Sequence, residues 1–319
     1  MEFSHTPVLY EECLTLLDPH PDGIYVDATL GGGGHAEGIC RRLSPQGIFI
    51  GIDRDEDAIR AATKRLEACP CSRYFYHRTF SGIKGILTAQ GLSGIDGALM
   101  DLGVSSFQLD EAGRGFSYKE DAPLDMRMDR RADFCAEDVV NHYEEERLAS
   151  VIHRYGEERF ARRIARAIVQ ARKDKPIHST GELADIVKGA IPAATRREGP
   201  HPAKRTFQAI RIEVNDELGE LERALDAFID CLKPRGRLLV ISFHSLEDRI
   251  VKQTFVRREH PADRLPKGLP VKAQENAPEV RRINRKPITA SADEIAKNPR
   301  ARSAKLRVLE KTGAPGEER

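Results

Sequence analysis

The sequence predicts an α/β fold in which a parallel, doubly wound sheet is interrupted by a mainly helical insertion. Three observations lead to this prediction. Short apolar runs alternate with helix-like segments between residues 24 and 101, this alternation is absent from residues 103–210, and a strand pattern returns at residues 236–243. Strands that alternate with helices form parallel sheets with helices on both faces.

The first half of the sheet is predicted from repeated strand and helix segments. In chain order, we expect a helix at 6–20, a strand at 24–27, a helix at 35–43, a strand at 48–53, a helix at 55–67, a weaker strand at 73–77, a helix or loop after Phe80, and a strand at 97–101. Three of these strands end in an acid, at Asp27, Asp53 and Asp101.

The second half begins with a segment that has no strand pattern. Residues 103–135 are rich in Gly, Asp, Ser and Arg, and residues 136–210 have a helical pattern with Pro and Gly breaks. Next come a helix at 214–232, a strand at 236–243, a long mobile loop at 258–283 that contains four prolines, and segments at 286–290 and 303–310 that could form a terminal hairpin. We therefore expect one domain from residues 1–104 and 211–319, with a helical domain inserted at 105–210.

Composition favours a cytoplasmic protein with reduced thiols. The chain has 319 residues, a net charge of +1, 40% hydrophobic residues and six cysteines without framework spacing. No run approaches the ~18 apolar residues of a membrane span, and the N-terminus lacks the features of a signal peptide. Cys69 and Cys71 could be a metal pair, but they have no companion pair, so we expect no metal site.

Charge is unevenly distributed along the chain. Residues 154–175 hold eight Lys or Arg against three acids, and residues 249–307 hold sixteen against six. At about 100° per residue, Phe160, Ile164 and Ile168 share one helical face. A second face carries the arginines Arg159, Arg162, Arg163 and Arg166. Guanidinium groups bind phosphate oxygens bidentately, so this face suits a nucleic acid, although a solvated surface helix gives the same pattern.

The glycine turn between the first strand and the following helix indicates an adenosine-type ligand. Four glycines, Gly31 to Gly34, follow Asp27, and Asp53 ends the next strand at the offset typical of a ribose-binding acid. The turn departs from the dinucleotide fingerprint Gly-x-Gly-x-x-Gly/Ala: Gly31 and Gly33 fit, but position 36 is Ala and His35 stands beside it. S-adenosylmethionine-dependent methyltransferases have a glycine turn after strand one, a ribose-binding acid after strand two and a polar motif after strand four. This chain has the same order of features, which favours S-adenosylmethionine as its cofactor.

Eleven sequence blocks resemble one family. They are His5-Thr-Pro-Val-Leu, Asp27-Ala-Thr-Leu-Gly-Gly-Gly-Gly-His35, Gly51-Ile-Asp-Arg-Asp55, Asp101-Leu-Gly-Val-Ser-Ser106, Gln108-Leu-Asp, Arg114-Gly-Phe-Ser, Pro123-Leu-Asp-Met-Arg-Met128, Tyr155-Gly-Glu-Glu-Arg-Phe-Ala161, Arg205-Thr-Phe-Gln-Ala-Ile-Arg211, Ile241-Ser-Phe-His-Ser-Leu-Glu-Asp-Arg249 and Asn298-Pro-Arg-Ala-Arg-Ser303. They resemble the bacterial ribosomal RNA small subunit methyltransferase H family, also called MraW. The resemblance covers nearly the whole chain.

This resemblance implies a Rossmann-like class I methyltransferase that N4-methylates a cytidine of 16S rRNA in the decoding region. It implies 16S rRNA or the small ribosomal subunit as partner, no membrane, and leaves a homodimer open. It also implies a set of cofactor contacts. They are Gly33, Gly34 and His35 along the methionine part, Asp53 at the ribose, and Phe80, Asp101 and Gln108 in the rest of the pocket. Without the resemblance, Phe80 reads as a core aromatic and His35 as a helix-start residue.

The chemistry of the target amine is less well predicted. Asp101 is the first candidate for the catalytic acceptor, with Ser105, Ser106, His244 and Glu247 as further candidates that could equally be loop or helix caps. The usual Asp/Asn-Pro-Pro-Tyr/Phe motif of amino-methyltransferases is absent after Asp101. Phe107, Phe116 or Phe243 could stack on a flipped base.

Three other function classes remain open. They are a methyltransferase for a small molecule or protein with the insertion as a lid, a nicotinamide-dependent oxidoreductase, and an RNA-binding module without activity.

Overall fold

The structure is a computed structural model that describes residues 7–105, 108–109, 111–193, 201–260 and 278–313. Contacts divide the chain into two units. The sheet unit comprises Met1–Gly103 and Leu218–Arg319, and the inserted unit comprises Val104–Glu217. In the described residues no helix is both long enough and apolar enough to cross a membrane.

The sheet unit is built on a seven-stranded sheet. Its strands are β1 (Ile24–Asp27), β2 (Ile48–Asp53), β3 (Ser72–His77), β4 (Ile95–Asp101), β5 (Leu232–Ser242), β6 (Val280–Arg282) and β7 (Lys305–Lys311). The spatial order is β3-β2-β1-β4-β5-β7-β6. Strands β1 to β5 are parallel, and β7 runs antiparallel to both β5 and β6. The predicted Rossmann-like α/β sheet of the class I methyltransferase type is therefore confirmed, and its last strand in the chain, β7, is reversed.

Helices cover both faces of this sheet. They are α1 (Tyr10–Leu17), α2 (Gly34–Cys40), α3 (Glu56–Arg65), α4 (Ile83–Ala89), α10 (Glu217–Cys231), α11 (Ser245–Glu259) and α12 (Ala292–Lys297). Adjacent strand residues point to opposite faces. Val26 and Met100 pack with helices α4 and α10 on one face, whereas Tyr25 and Leu99 pack with α1 and α2 on the other. Burial on both faces explains why the central strands are apolar at consecutive positions.

The inserted unit is helical in its second half. Its helices are α5 (Ala136–His142), α6 (Glu145–Gly156), α7 (Ala161–Asp174), α8 (Thr180–Ala190) and α9 (Lys204–Asn215). Their apolar faces form one core, with Leu148, Ile164 and Phe207 buried in it. The unit ends later in the chain than the boundary expected at 210/211, because α9 packs on α6 along its length and its last residue, Asn215, donates a hydrogen bond to Met126 O (2.8 Å).

Three details of the chain's second half differ from the prediction. Asp216 adopts a left-handed φ of 46° and separates α9 from α10, so the helix expected at 214–232 begins at Glu217. The loop expected at 258–283 is wrong at both ends, since α11 continues to Glu259 and β6 occupies Val280–Arg282; residues 261–277 lie outside the described residues. The expected partner of β7 at 286–290 makes a single bridge through Ile288, and β6 is the paired strand.

Candidate functional site

Three acids lie at the carboxyl ends of adjacent parallel strands. Asp27 pairs in register with Gly51 of β2 and Leu99 of β4, so Asp53 and Asp101 each lie two residues further along their strands. In open α/β sheets, ligands bind at this end of the strands. The sequence prediction that Asp53 and Asp101 share one edge is therefore met by the sheet register.

The glycine turn approaches neighbouring chain segments too closely for side chains. Gly33 has a φ of 77° and begins α2, and an added Cβ would lie 3.1 Å from the Cβ of Ala62. At Gly34 an added Cβ would lie 2.5 Å from Pro7 Cγ. Glycine accepts the left-handed conformation without strain. The turn can therefore pack closely against Ala62 and Pro7 at the start of α2 only without side chains.

Asp53 holds the glycine turn in place. Its Oδ2 accepts a hydrogen bond from Gly31 N (2.8 Å), and its Oδ1 accepts one from Asp55 N (2.9 Å). Burial raises the pKa of Asp53, and these two backbone donors oppose that rise. Each carboxylate oxygen can accept more than one hydrogen bond, so Asp53 keeps acceptor capacity for hydroxyl groups such as a ribose diol.

His35 is a buried neutral histidine. Its side chain is 5% exposed, and its Nε2 lies 3.0 Å from Val8 O. Burial lowers the pKa of His35 to about 4. Because Nε2 must donate to the carbonyl, the proton sits on Nε2 and Nδ1 carries a lone pair. That Nδ1 is 3.8 Å from Asp101 Oδ2. His35 is therefore a buried residue in the first turn of α2, as the helix-start interpretation expects, and it lies beside the acid at the end of β4.

Asp101 has a buried oxygen without a partner. Within the described residues, Asp101 Oδ1 is buried and makes no hydrogen bond. The backbone N–H of Asp101 donates to Thr29 Oγ1 (2.6 Å), which anchors the strand end to the glycine turn. Burial, followed by the charges of Asp27 and Glu247, raises the pKa of Asp101 to about 8. A carboxyl group in this state attracts a proton or a cation, and its free oxygen can accept from a bound donor.

Asp27 adds to the negative potential of this edge. It is 2% exposed, and its Oδ1 accepts a hydrogen bond from Thr29 N (3.1 Å). Burial, with a smaller effect of the Asp53 charge, raises the pKa of Asp27 to about 7. A cationic ligand placed among these three acids would lower all three pKa values, and its binding would be favoured in return.

Phe80 begins a short turn after β3. The turn, Phe80–Gly82, is held by Glu220, whose carboxylate accepts from Ser81 N (2.8 Å) and Ser81 Oγ (2.9 Å). Phe80 is half-buried against the core, with the Arg54 guanidinium 6.0 Å from its ring centre. Sequence reasoning missed Glu220, although an acid on the apolar face of α10 was a signal for it.

The remaining predicted residues fall in or near the inserted unit. Gln108 is 4% exposed there. Its side-chain Oε1 accepts from Ser105 N (3.1 Å), and its backbone N–H donates to Ser105 Oγ (3.2 Å). Ser106 and Phe107 lie outside the described residues. Phe116 is 7% exposed in the core of the inserted unit, so it offers no free ring face to a base.

His244 and Glu247 form a capping box at the start of α11, after β5. Glu247 Oε2 accepts from Phe243 N (2.8 Å) and His244 N (3.2 Å), and His244 Nδ1 accepts from Glu247 N (3.4 Å). Glu247 is 2% exposed. The interpretation of these residues as helix caps is therefore correct, but it does not account for His244 Nε2, which is buried and has no hydrogen-bond partner in the described part of the chain.

Helix α7 carries a row of exposed arginines. Ala161, Ile164 and Ile168 are buried, whereas Arg162, Arg163 and Arg166 are exposed, as the angular pattern predicts. Arg159 and Phe160, which the same pattern assigned to the helix, lie in the turn before it. Arg166 lies 3.5 Å from Glu145. No described acid lies within ion-pair distance of Arg162 or Arg163. These two guanidinium groups are available to phosphates.

Comparisons with known proteins match the whole chain. The sequence profile of the MraW methylase family matches residues 2–312. A relative from Symbiobacterium thermophilum named ribosomal RNA small subunit methyltransferase H is 54% identical over 318 residues, which cover 100% of this chain and 99% of that protein. Proteins with the same name from Clostridioides difficile and Ruminiclostridium cellulolyticum are 53% and 50% identical, and each match covers 98% of this chain and 100% of the relative.

Proposed function

The chain belongs to the MraW methylase family, and on this premise we propose that it methylates the N4 amino group of a specific cytidine in the decoding region of 16S rRNA. The cofactor is S-adenosylmethionine, which supplies an electrophilic methyl group on a positively charged sulfur. The reaction class is methyl transfer to small-subunit ribosomal RNA, as the names of the relatives state for those proteins.

The residues at the carboxyl edge of the sheet fit this cofactor. Gly33 and Gly34 form a tight turn in which an added Cβ would clash with neighbouring residues. His35 follows the turn and is held by the contact of its Nε2 with Val8 O. We assign these three residues to the methionine part and assign Asp53, with its spare acceptor capacity, to the ribose diol. The adenine part would contact Phe80, and Gln108 and Asp101 would complete the pocket. The three buried acids suit the positive charge of the sulfonium.

One observation carries the catalytic proposal: Asp101 Oδ1 is buried and has no hydrogen-bond partner among the residues that the structure describes. The lone pair of a cytosine amine is delocalised into the ring, so the amine is a poor nucleophile. An oxygen acceptor that binds one amine N–H restores electron density on N4 and turns the remaining lone pair toward the methyl group. Because burial raises the pKa of Asp101 to about 8, this carboxylate can also take the proton that leaves N4.

Positioning supplies much of the remaining rate. Attack on the methyl group needs the amine, the methyl carbon and the sulfur in line, and holding reactants in such geometry lowers the barrier without further chemistry. Asp101 is fixed for this task by the hydrogen bond from its N–H to Thr29 Oγ1. His35 Nδ1 lies 3.8 Å from the other carboxylate oxygen, Oδ2, so Oδ1 is the oxygen available to the target amine.

The inserted unit would bind the RNA substrate. Arg162 and Arg163 project from α7 on the face opposite its buried residues, and they have the chemistry that phosphates require. We propose that this arginine face contacts 16S rRNA, either free or within the small subunit. Consistent with such a substrate, we propose a cytoplasmic location, and we leave open whether the protein is a homodimer.

A methyl-incorporation assay tests the proposed function. Wild-type protein, Asp101→Asn and the exposed-site control Asp293→Asn would be incubated with labelled S-adenosylmethionine and small subunits that lack the modification. We expect incorporation by the wild type and the control, and a loss of about 10²- to 10⁴-fold for Asp101→Asn. Full activity of Asp101→Asn would exclude Asp101 as the group that takes the proton from N4. No incorporation by the wild type would overturn the proposed function itself.

A further inference from the structure

Two unsatisfied polar atoms lie at neighbouring strand ends of the sheet unit. Among the described residues, Asp101 Oδ1 and His244 Nε2 are both buried and both lack a hydrogen-bond partner. Asp101 pairs in register with Ile241, and His244 follows Ile241 in the loop after β5. Buried polar atoms are almost always satisfied. Two such exceptions on adjacent strands, at the ligand-binding edge, indicate a polar ligand that both atoms contact.

The surroundings of His244 assign its donor. His244 Nδ1 accepts the N–H of Glu247, so Nδ1 has no proton and Nε2 must carry it. Glu247 Oε1 lies 3.2 Å from Nε2 but outside hydrogen-bonding geometry. The opposite oxygen of Glu247 binds the backbone N–H groups of Phe243 and His244 and fixes the loop. His244 therefore presents an N–H donor from a rigid position, in the loop after the strand that pairs with the end of β4 at Asp101.

We propose that His244 reads the target base by donating its Nε2–H to the ring nitrogen N3 of cytosine, while Asp101 Oδ1 accepts from the exocyclic amine. This inference rests on the proposed function and names the residue that selects its substrate. Cytosine presents a donor at N4 next to an acceptor at N3, which complements the Asp101 and His244 pair. Uracil presents the reverse pattern, an acceptor at O4 next to a donor at N3. The acceptor of Asp101 would then face an acceptor, and the donor of His244 would face a donor.

His244 is thus a positioning and specificity residue. The proton that leaves N4 does not pass through it. A donor held at N3 fixes the in-plane rotation of the base, so the amine reaches Asp101 and the methyl group together. Its loss would lower the rate with cytosine and leave cofactor binding unchanged.

The test combines a variant with a modified substrate. His244→Asn keeps a side-chain oxygen that can cap α11, since Asn is among the best N-cap residues, but removes the donor that reaches the base. His260→Asn, an exposed change at the other end of α11, is the matched control. The substrates are small subunits reconstituted with either cytidine or 3-deazacytidine at the methylated position; the latter replaces the N3 acceptor with C–H.

We expect a non-additive result. With cytidine, His244→Asn should lower kcat/KM on the order of 10- to 100-fold, as for a lost buried hydrogen bond. Replacing cytidine by 3-deazacytidine should lower wild-type activity by a similar factor, and on that substrate His244→Asn and wild type should differ by less than about threefold. The Kd for S-adenosylmethionine and the Tm should match those of His260→Asn.

Two results would overturn the assignment of His244. One is full activity of His244→Asn on cytidine, and the other is an equal loss by the variant on both substrates, which would indicate a structural role. Failure of the wild type to methylate the natural subunit is a different outcome, because it removes the proposed function on which this inference rests.

Discussion

Replacement of Asp101 by Asn should stabilise the cofactor-free protein in a pH-dependent manner. Burial raises the pKa of Asp101 from 3.8 to about 8, so between these values the folded protein keeps a proton that the unfolded chain releases. Ionisation therefore favours unfolding, and the stability contributed by this group is fully present at acid pH and is lost as the pH rises toward 8. Asn has the same shape and no proton to lose.

The magnitude follows from the linkage relation. One group with this shift lowers the free energy of unfolding by about 1.4 kcal/mol per pH unit, or by at most about 3.5 kcal/mol between pH 5 and pH 7.5. The Asp101 side chain is 27% exposed, so solvent screening reduces this figure. We expect the stability of Asp101→Asn relative to wild type to increase by on the order of 2–3 kcal/mol over that interval.

Urea unfolding of wild type and Asp101→Asn at pH 5 and pH 7.5, without S-adenosylmethionine, measures this difference. Asp293→Asn, at an exposed position in the first turn of α12, controls for the loss of one negative charge. A difference between Asp101→Asn and wild type that stays constant with pH would refute the reasoning, since the Asp101 carboxyl would then ionise alike in the folded and unfolded states. Greater stability of the wild type at pH 7.5 would refute it equally.

Three further outcomes are expected. Gly34→Ala places a Cβ 2.5 Å from Pro7 Cγ, so calorimetry should show weaker S-adenosylmethionine binding, and an unchanged Kd would contradict the role of the turn. Arg162→Gln with Arg163→Gln should weaken RNA binding and reduce the salt slope of log K by about 1.4, from two lost phosphate contacts at about 0.7 each, with the cofactor Kd unchanged; an unchanged slope would exclude these arginines. The kcat/KM for S-adenosylmethionine, which reports the pKa values of the free enzyme, should rise with pH up to the pKa of Asp101 near 8, and an inflection retained in Asp101→Asn would belong to another group.

The central strands could be predicted because their burial on both faces gives runs of consecutive apolar residues in the sequence. β1, β2 and β4 are apolar at consecutive positions and end in acids, and parallel strands buried on both faces require such runs. The order of the strands in space is set by long-range pairing, and the sequence pattern carries no direct signal for it. What the sequence does indicate is the edge proposed to bind the cofactor, through the glycine turn and its two flanking acids.

Short strands and long-range contacts could not be predicted in the same way. β6 has three residues, two of them arginines, and its position depends on β7, where Glu310 accepts from Arg281 Nε (2.8 Å). The burial of His35 depends on Val8 O, and the anchoring of the Phe80 turn depends on Glu220, which is remote in sequence. Contacts between residues so far apart in sequence can be identified only from the folded structure.

The same limit applies to His244, the residue proposed to read the substrate base. His244 has the sequence context of a helix cap, and the capping box is present. Only the fold reveals that one ring nitrogen serves the cap while the other remains buried and unsatisfied. A residue with two polar atoms can satisfy a local pattern and still have a separate role in binding.

The most direct test of the whole account is to identify the methylated nucleoside. Small subunits that lack the modification would be incubated with the protein and S-adenosylmethionine, and their 16S rRNA digested and mapped by mass spectrometry. The account predicts a single N4-methylcytidine in the decoding region. A methyl group on a ribose, on a ring carbon or on another base would contradict it.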